Sequence, residues 1–550
     1  MRDSHSSQDS TMSQVFDRRP WQRIPPALWI LLLLPLLAIL PAVPIDETRY
    51  LSVAWEMRLS GNWITLHLNG APYFDKPPLL FWLINASWSV FGVSLWSARL
   101  MVLLCSAGCI ALCGRLDRML APGDGPRASW LLLGFLFLVL FSGVVMFDIT
   151  LCLFVVLGFV AIVSYVQSGR RSALALLAFA GMMGIFAKGP VALLHLAAPI
   201  LAAPWWSAGG QRRISWREVL AMMLAAVLGG LPVLLWAWGA VHHLSDADAH
   251  ELLLRQTAGR VVKSFAHNRP VWWYLPWVPV LLLPWSLLLR WRRVGAAASS
   301  WRHSQAVRFG LSASVPALLA FCLVSGKQLH YLLPLLPGVA ILLTAWLRQD
   351  PELLSARRLW ILLAVIAGVL LWSIFGSVPL GRGSMSPETA HGLYALSGGL
   401  LLLSAASLWL GRRMKVERCA ALSALLLTMA MVPLVRLEVV GSLDMSDVAQ
   451  RVAELHKQGV VMARTDNEPG LVTFLARLPS PLPAAGVDQV EWARQHPDGV
   501  LLVYSGRGTA PAGASPTVRL ANGWAGLMTS QAVLANPGAL ERSPPPAPGD

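Results

Sequence analysis

Apolar runs long enough to form membrane helices recur along most of the chain, separated by short polar connections, and stop near Leu437. A helix needs about 20 apolar residues to cross the hydrocarbon of a bilayer. The pattern therefore predicts spans near 26–44, 96–115, 129–146, 150–167, 172–188, 190–206, 219–241, 273–290, 306–325, 331–347, 359–378, 392–411 and 418–436. These thirteen segments describe an all-α polytopic membrane protein. A further apolar piece, 79–93, is short and follows Lys76-Pro77-Pro78. It is read as an interfacial or re-entrant helix with Trp82, Trp88 and Trp96 at headgroup level.

Beyond Leu437 the pattern changes. Acidic and basic residues at helical spacing (Asp444, Asp447, Glu454, Lys457) precede a strand-like Gly459-Val460-Val461-Met462. A short helix over 489–495 and a strand over 499–504 follow. Residues 438–540 are thus expected to form a small α/β domain, and the Pro-rich 541–550 a disordered tail. The polar residues 1–25 are expected to be a disordered cytoplasmic tail. No small-residue cleavage site follows the first apolar run, which is read as an uncleaved helix.

Composition agrees with the pattern: 550 residues, 55% hydrophobic and 13% charged. The formal net charge of +15 does not point to nucleic acid, because the basic residues recur as short clusters between apolar runs. With the N-terminus in the cytoplasm, one face receives Arg115/Arg118/Arg127, Arg170/Arg171, Arg212/Arg213/Arg217, Arg290/Arg292/Arg293, Arg348/Arg357/Arg358 and Arg412/Arg413/Lys415/Arg418. That is the positive-inside arrangement. The other face receives the mixed-charge loops 46–76 and 242–272 and, with an odd number of spans, the C-terminal domain.

The six cysteines include no CxxC pair, and Cys105, Cys109 and Cys113 sit at helical spacing in one apolar run, so no structural disulfide is expected. The chemistry gathers on the mixed-charge face. Asp46, Glu47, Arg49, Asp75, Lys76, Asp148, Lys188, Arg255, Arg260, Lys263, Lys327 and His330, with Tyr331, all fall at helix ends or in loops there. Ionisable groups kept beside a bilayer mark a site by default. One reading is a transporter of lipids or small solutes; a third, non-catalytic, is a lipid-binding component. A transporter site is expected near the midplane in broken helices of an internal repeat, and no such repeat is visible. The end-on cluster instead favours binding an anionic headgroup and acting on it.

The order of motifs adds a resemblance. Asp46-Glu47-Thr48-Arg49-Tyr50, Gly61-Asn62-Trp63, Leu68-Asn69-Gly70 and Pro72-Tyr73-Phe74-Asp75-Lys76-Pro77-Pro78 resemble the first outer loop of polyprenyl-phosphate-sugar-dependent glycosyltransferases. The nearest group is the bacterial aminoarabinose transferase family that modifies lipid A, related to protein O-mannosyltransferases. Phe147-Asp148, Ala187-Lys188-Gly189-Pro190, Pro270 to Tyr274, Leu283-Pro284-Trp285-Ser286 and Gly326-Lys327 to Tyr331 with Pro334 continue the match to about residue 345.

The resemblance implies a C-type glycosyltransferase fold in a bacterial inner membrane, with a periplasmic active site and C-terminal domain. It implies catalytic roles for Asp46 and Asp148, and contacts of Lys76, Arg260 and Tyr331 with the lipid phosphate. Glu47, Arg49, Tyr73, Lys188 and Lys327 complete the expected substrate-binding set. The implied partners are an undecaprenyl-phosphate-linked sugar as donor, such as 4-amino-4-deoxy-L-arabinose, and lipid A or another envelope glycan as acceptor. Where the aminoarabinose transferases carry a Glu and a His associated with a metal, this chain has Asp75 and Thr257. No cofactor is certain; a divalent metal is left open, with Asp75 its only candidate ligand.

Overall fold

The computed structural model describes residues 24–73, 75–122, 127–208, 210, 212–242, 269–299, 304–355, 358–375, 394–402, 404, 406, 414–436, 444–506, 508, 510–511, 513–520 and 523–536. Among these, six helices are long and apolar enough to cross a membrane: Leu95–Leu120, Phe147–Ser168, Arg171–Lys188, Trp216–Ala240, Gln305–Leu323 and Leu329–Gln349. Shorter apolar helices cover Pro26–Ile39, Leu79–Phe91, Val191–Leu201 and Leu359–Gly368. The thirteen expected segments are therefore not all continuous helices.

Each break has a cause in the chain. The 129–146 segment divides into Arg127–Gly134 and Leu136–Phe141. Leu136 N donates to Leu283 O at 3.1 Å, outside its own helix. Gly134 leaves room for the Trp285 ring, which a Cβ there would meet at 2.3 Å, and Trp285 Nε1 donates to Leu131 O at 3.1 Å. The 273–290 segment is a 3-10 stretch, Val271–Trp277, followed by the single turns Val278–Leu281 and Trp285–Leu288. Pro276, Pro279 and Pro284 lack the N–H that a continuous helix would use there. The 219–241 segment bends at Gly229-Gly230 between Trp216–Leu228 and Leu231–His242. A Cβ at Gly229 would lie 2.1 Å from Ala178 O, and one at Gly181 would lie 2.5 Å from Ala226 O. Small residues thus let these two helix backbones approach closely.

The Leu79–Phe91 helix is 13 residues long, a rise of about 20 Å, against about 30 Å of hydrocarbon. Its Trp88 ring stacks on Phe474 of the C-terminal unit at 5.1 Å, and the chain reverses at Gly92 (φ 80°) into Leu95–Leu120. Ser94 caps that second helix by accepting from Ser97 N.

The C-terminal unit opens with the helix Ser446–Lys457, whose Val448, Ala449, Val452 and Leu455 form its buried stripe. Its four-stranded sheet has the order Met462–Arg464, Val500–Ser505, Trp524–Thr529, Ala514–Arg519, parallel at the first pair and antiparallel at the others. The last two strands were not anticipated from the sequence. Ala514–Arg519 is an edge strand, the place where a sheet admits a proline such as Pro516.

Candidate active site

Two consecutive helices bring the first buried pair together. Phe147–Ser168 and Arg171–Lys188 are joined by a tight turn at Gly169, which takes φ 67° and ends the first helix. Asp148 precedes that turn by about 21 residues and Lys188 follows it by about 19, so at 1.5 Å per residue both lie roughly 30 Å from it. An antiparallel hairpin of this register sets the two side by side. Lys188 Nζ makes a short hydrogen bond to Asp148 Oδ1. The carboxylate stands in the first turn of one helix and the ammonium in the last turn of the other, each at the helix end whose dipole favours its charge.

Asp148 is buried, and its second oxygen lies 3.8 Å from His330 Nε2. Lys188 Nζ sits 4.1 Å from the centre of the Tyr331 ring, a cation–π contact, and the His330 and Tyr331 rings meet edge-on at 4.9 Å. Asp46 and Lys76 lie close enough to act on the charge of the same imidazole. Asp46, Lys76, Asp148, Lys188, His330 and Tyr331 thus form one polar cluster at one end of the bundle.

Asp46 is the first residue of the helix Asp46–Ser60 and is half-buried. Tyr50, one turn on, donates its hydroxyl to Asp46 Oδ1 at 3.4 Å. The Tyr50 ring is pinned against Phe147 at 4.8 Å. Burial first, then the Asp46 carboxylate, pushes the Tyr50 phenol well above its ordinary pKa, so it remains a donor at neutral pH. Tyr73 is buried beside it, its ring 6.3 Å from Phe81.

Glu47 is used by the protein itself. Its Oε1 accepts from Arg99 Nε (2.8 Å) and Val145 N (2.9 Å), and its Oε2 from Arg99 Nη2 (2.7 Å) and Val43 N (2.8 Å). Arg99 spends its other donors on Leu37 O (3.1 Å), Leu40 O (2.5 Å) and Pro41 O (2.8 Å). Both side chains are fully buried. This forked pair fastens the end of the Pro26–Ile39 helix, the start of the Asp46–Ser60 helix and the 143–146 turn to the Leu95–Leu120 helix. Arg99→Met is expected to destabilise the fold by about 3–5 kcal/mol, because a buried carboxylate would lose its counter-charge. Detergent-solubilised protein should show a lower midpoint in thermal unfolding, and an unchanged midpoint would contradict the role.

The remaining expected residues are spread more widely. Arg49 points to the C-terminal unit, its Nε donating to Pro469 O at 3.3 Å. Lys327 is buried, and its Nζ donates to the backbone oxygens of Val324 and, at 3.0 Å, Arg269. Arg260, with Arg255 and Lys263, lies outside the described residues. Asp75 is half-buried beside Lys76. No group of three His, Cys, Asp or Glu side chains able to hold a metal ion occurs among the described residues. Sequence reasoning overlooked Arg99, although a lone arginine four residues inside an apolar run was a visible signal.

Residues 75–236 match the family model described as dolichyl-phosphate-mannose-protein mannosyltransferase. The chain is 33% identical over 315 residues to the undecaprenyl phosphate-alpha-4-amino-4-deoxy-L-arabinose arabinosyl transferase of Pseudomonas aeruginosa, covering 54% of each chain. It is 29% identical over 395 residues to the enzyme of the same name from Edwardsiella ictaluri, covering 66% of this chain and 69% of that one. The match thus spans about half the length of the Pseudomonas relative. Among solved structures, ArnT from Cupriavidus metallidurans in the apo state superposes with a TM-score of 0.69 at 19% identity, covering 88% of this chain and 92% of that one. The same protein bound to undecaprenyl phosphate gives 0.67 at 19%, covering 91% and 93%. The chain therefore has the ArnT fold, a mostly helical multi-pass membrane architecture with a small C-terminal sheet. The resemblance read from its motifs is the one these comparisons return.

Proposed function

We propose that this chain is a membrane glycosyltransferase that moves a sugar from an undecaprenyl-phosphate-linked donor to lipid A or another envelope acceptor. The observation that carries the reading is the cluster at one end of the bundle, where two carboxylates, Asp46 and Asp148, meet Lys188, Lys76 and His330. A sugar-lipid phosphate brings a reacting carbon and an anionic leaving group, and a mixed-charge cluster on this fold suits both. The names of the similar proteins supply the chemical class: an undecaprenyl phosphate donor and an aminoarabinose sugar.

Transfer breaks the bond between the anomeric carbon and the phosphate oxygen, and undecaprenyl phosphate departs with the electron pair. The new bond joins that carbon to an acceptor oxygen in a single displacement, with inversion. The departing phosphate calls for fixed positive charge, which Lys76 and Arg260 would provide, with the Tyr331 hydroxyl as a neutral hydrogen-bond donor. Asp46 would take the proton of an acceptor hydroxyl; an acceptor phosphate, already ionised, would need only orientation. Asp148 would act mainly by holding Lys188 over Tyr331. Arg49, Tyr73 and Lys327 would shape the rim of the site, and Glu47 would fix the helix that carries Asp46.

The arginine clusters favour a cytoplasmic N-terminus, which would put the reacting cluster and the C-terminal unit in the periplasm of a bacterial inner membrane. Mass spectrometry of lipid A and the other envelope glycans, from cells with and without the chain, tests the reading. A sugar lost from one glycan on deletion and restored by the wild-type chain is expected. An unchanged glycan profile in cells that supply the lipid-linked sugar would overturn it.

A further inference from the structure

The face of the Asp46–Ser60 helix that carries Arg49, Ser52 and Trp55 is held by a single loop of the C-terminal unit. Arg49 Nε donates to Pro469 O (3.3 Å), Ser52 Oγ to Gly470 O (2.9 Å) and Trp55 Nε1 to Leu478 O (2.9 Å), while Phe474 N donates back to Ser52 Oγ (3.3 Å). Positions 49, 52 and 55 recur at about one helical turn, so they form one stripe. Gly470 takes φ 83°, and a Cβ there would strike Leu68 at 2.6 Å, so the loop lies directly on the small hairpin as well.

That hairpin, His67–Leu68 paired with Ala71–Pro72, turns at Asn69-Gly70, both at positive φ as a two-residue turn of this kind requires. Asn69 is the junction of three elements. Its Nδ2 donates to Glu468 O and Glu468 Oε2, both at 2.8 Å, and Arg464 Nη2 approaches its carbonyl at 3.4 Å. Asn69 N and Gly70 N donate to the two oxygens of Glu56, at 2.7 and 2.9 Å, and Glu56 belongs to the same helix as Asp46. Two buried carboxylates are thereby held on one turn, Glu468 by the side-chain amide of Asn69 and Glu56 by the backbone N–H groups of Asn69 and Gly70.

From this geometry we infer that Asn69 is a positioning residue, through which the C-terminal unit sets the helix bearing Asp46 in the register that transfer needs. The inference rests on the proposed transferase reading for its consequence in rate, though the mechanical coupling stands without it. The C-terminal unit is then part of the active-site scaffold, acting through the hairpin.

Asn69→Asp isolates the coupling. Aspartate tolerates the left-handed backbone of position 69 about as well as asparagine, so the turn is retained. The substitution replaces the donor that faces Glu468 with a carboxylate and sets like charges against each other. Glu468→Gln in the same chain removes the like charge and can turn an amide toward the new carboxylate, reversing the bond's direction; its oxygen keeps the bond from Leu471 N, while the bond that Gly470 N makes to Oε2 is given up. Full-length protein in liposomes should show kcat for transfer reduced by about a hundredfold in Asn69→Asp, the scale of an ångström-sized misplacement. KM for the lipid-linked sugar should change little, and the double variant should regain part of the rate.

Hydrogen exchange read in parallel should show faster exchange over 46–60 in Asn69→Asp and recovery in the double variant. Unaltered exchange over 46–60 would overturn the inference whether or not the wild type transfers sugar. Equal loss of kcat in the single and double variants would overturn it as well. The exchange response in the variants, alongside wild-type protein that transfers nothing, would instead overturn the transferase reading and leave the coupling intact.

Discussion

Asp46→Asn is expected to lower sugar transfer to a hydroxyl acceptor by about 10²–10⁴-fold, the usual contribution of a positioned acid or base. The folded protein should remain. The side chain sits in the first turn of the Asp46–Ser60 helix, and no side chain caps that helix at Ile45. A dipole contribution there is worth about 0.3–1 kcal/mol, and asparagine keeps the hydrogen-bonding shape while removing the charge. Tyr50 can still donate to the amide oxygen. Thermal unfolding should therefore shift little while initial rates fall steeply. Transfer near the wild-type rate would reduce Asp46 to a helix-end charge and would move the search for a base to Asp148.

Much of this site was readable from the chain because helices turn sequence spacing into spatial register. The Asp148–Lys188 pair follows from two runs of nearly equal length on either side of Gly169. The clustering of Asp46 with it follows from both standing at the same end of the bundle. The pattern could not reveal which charges the protein consumes internally. Glu47 and Asp46 are neighbours in one acidic pair, yet rotation by one residue, about 100° around the helix, turns Glu47 onto Arg99 and leaves Asp46 toward the cluster. Lys327 and Arg49 are likewise committed to backbone oxygens whose positions no spacing rule encodes. Hydropathy located the apolar segments but not their breaks, since a proline or a glycine-lined crossing interrupts a helix without making its composition less apolar. The final two strands escaped notice because Ser515-Pro516 reads as a turn, whereas an edge strand admits proline.

Lys76→Ala is expected to reduce kcat/KM for the lipid-linked donor by about 30- to 1,000-fold, corresponding to roughly 2–4 kcal/mol for removing one partner of a partly desolvated charge pair. Lys76 is half-buried next to Pro77-Pro78, and its charge is felt at His330. Lys188 is the other lysine of the cluster. It is bonded to Asp148, so Lys188→Ala strands a buried carboxylate and should lower thermal stability along with activity. Lys76→Arg sharpens the test, because a planar guanidinium places its donors differently from a compact ammonium and should recover only part of the loss. Initial rates measured against donor concentration in liposomes decide the matter. Donor KM and turnover both unchanged in Lys76→Ala would make this lysine a headgroup anchor, and the phosphate would then have to be held by Lys188 from its position over Tyr331.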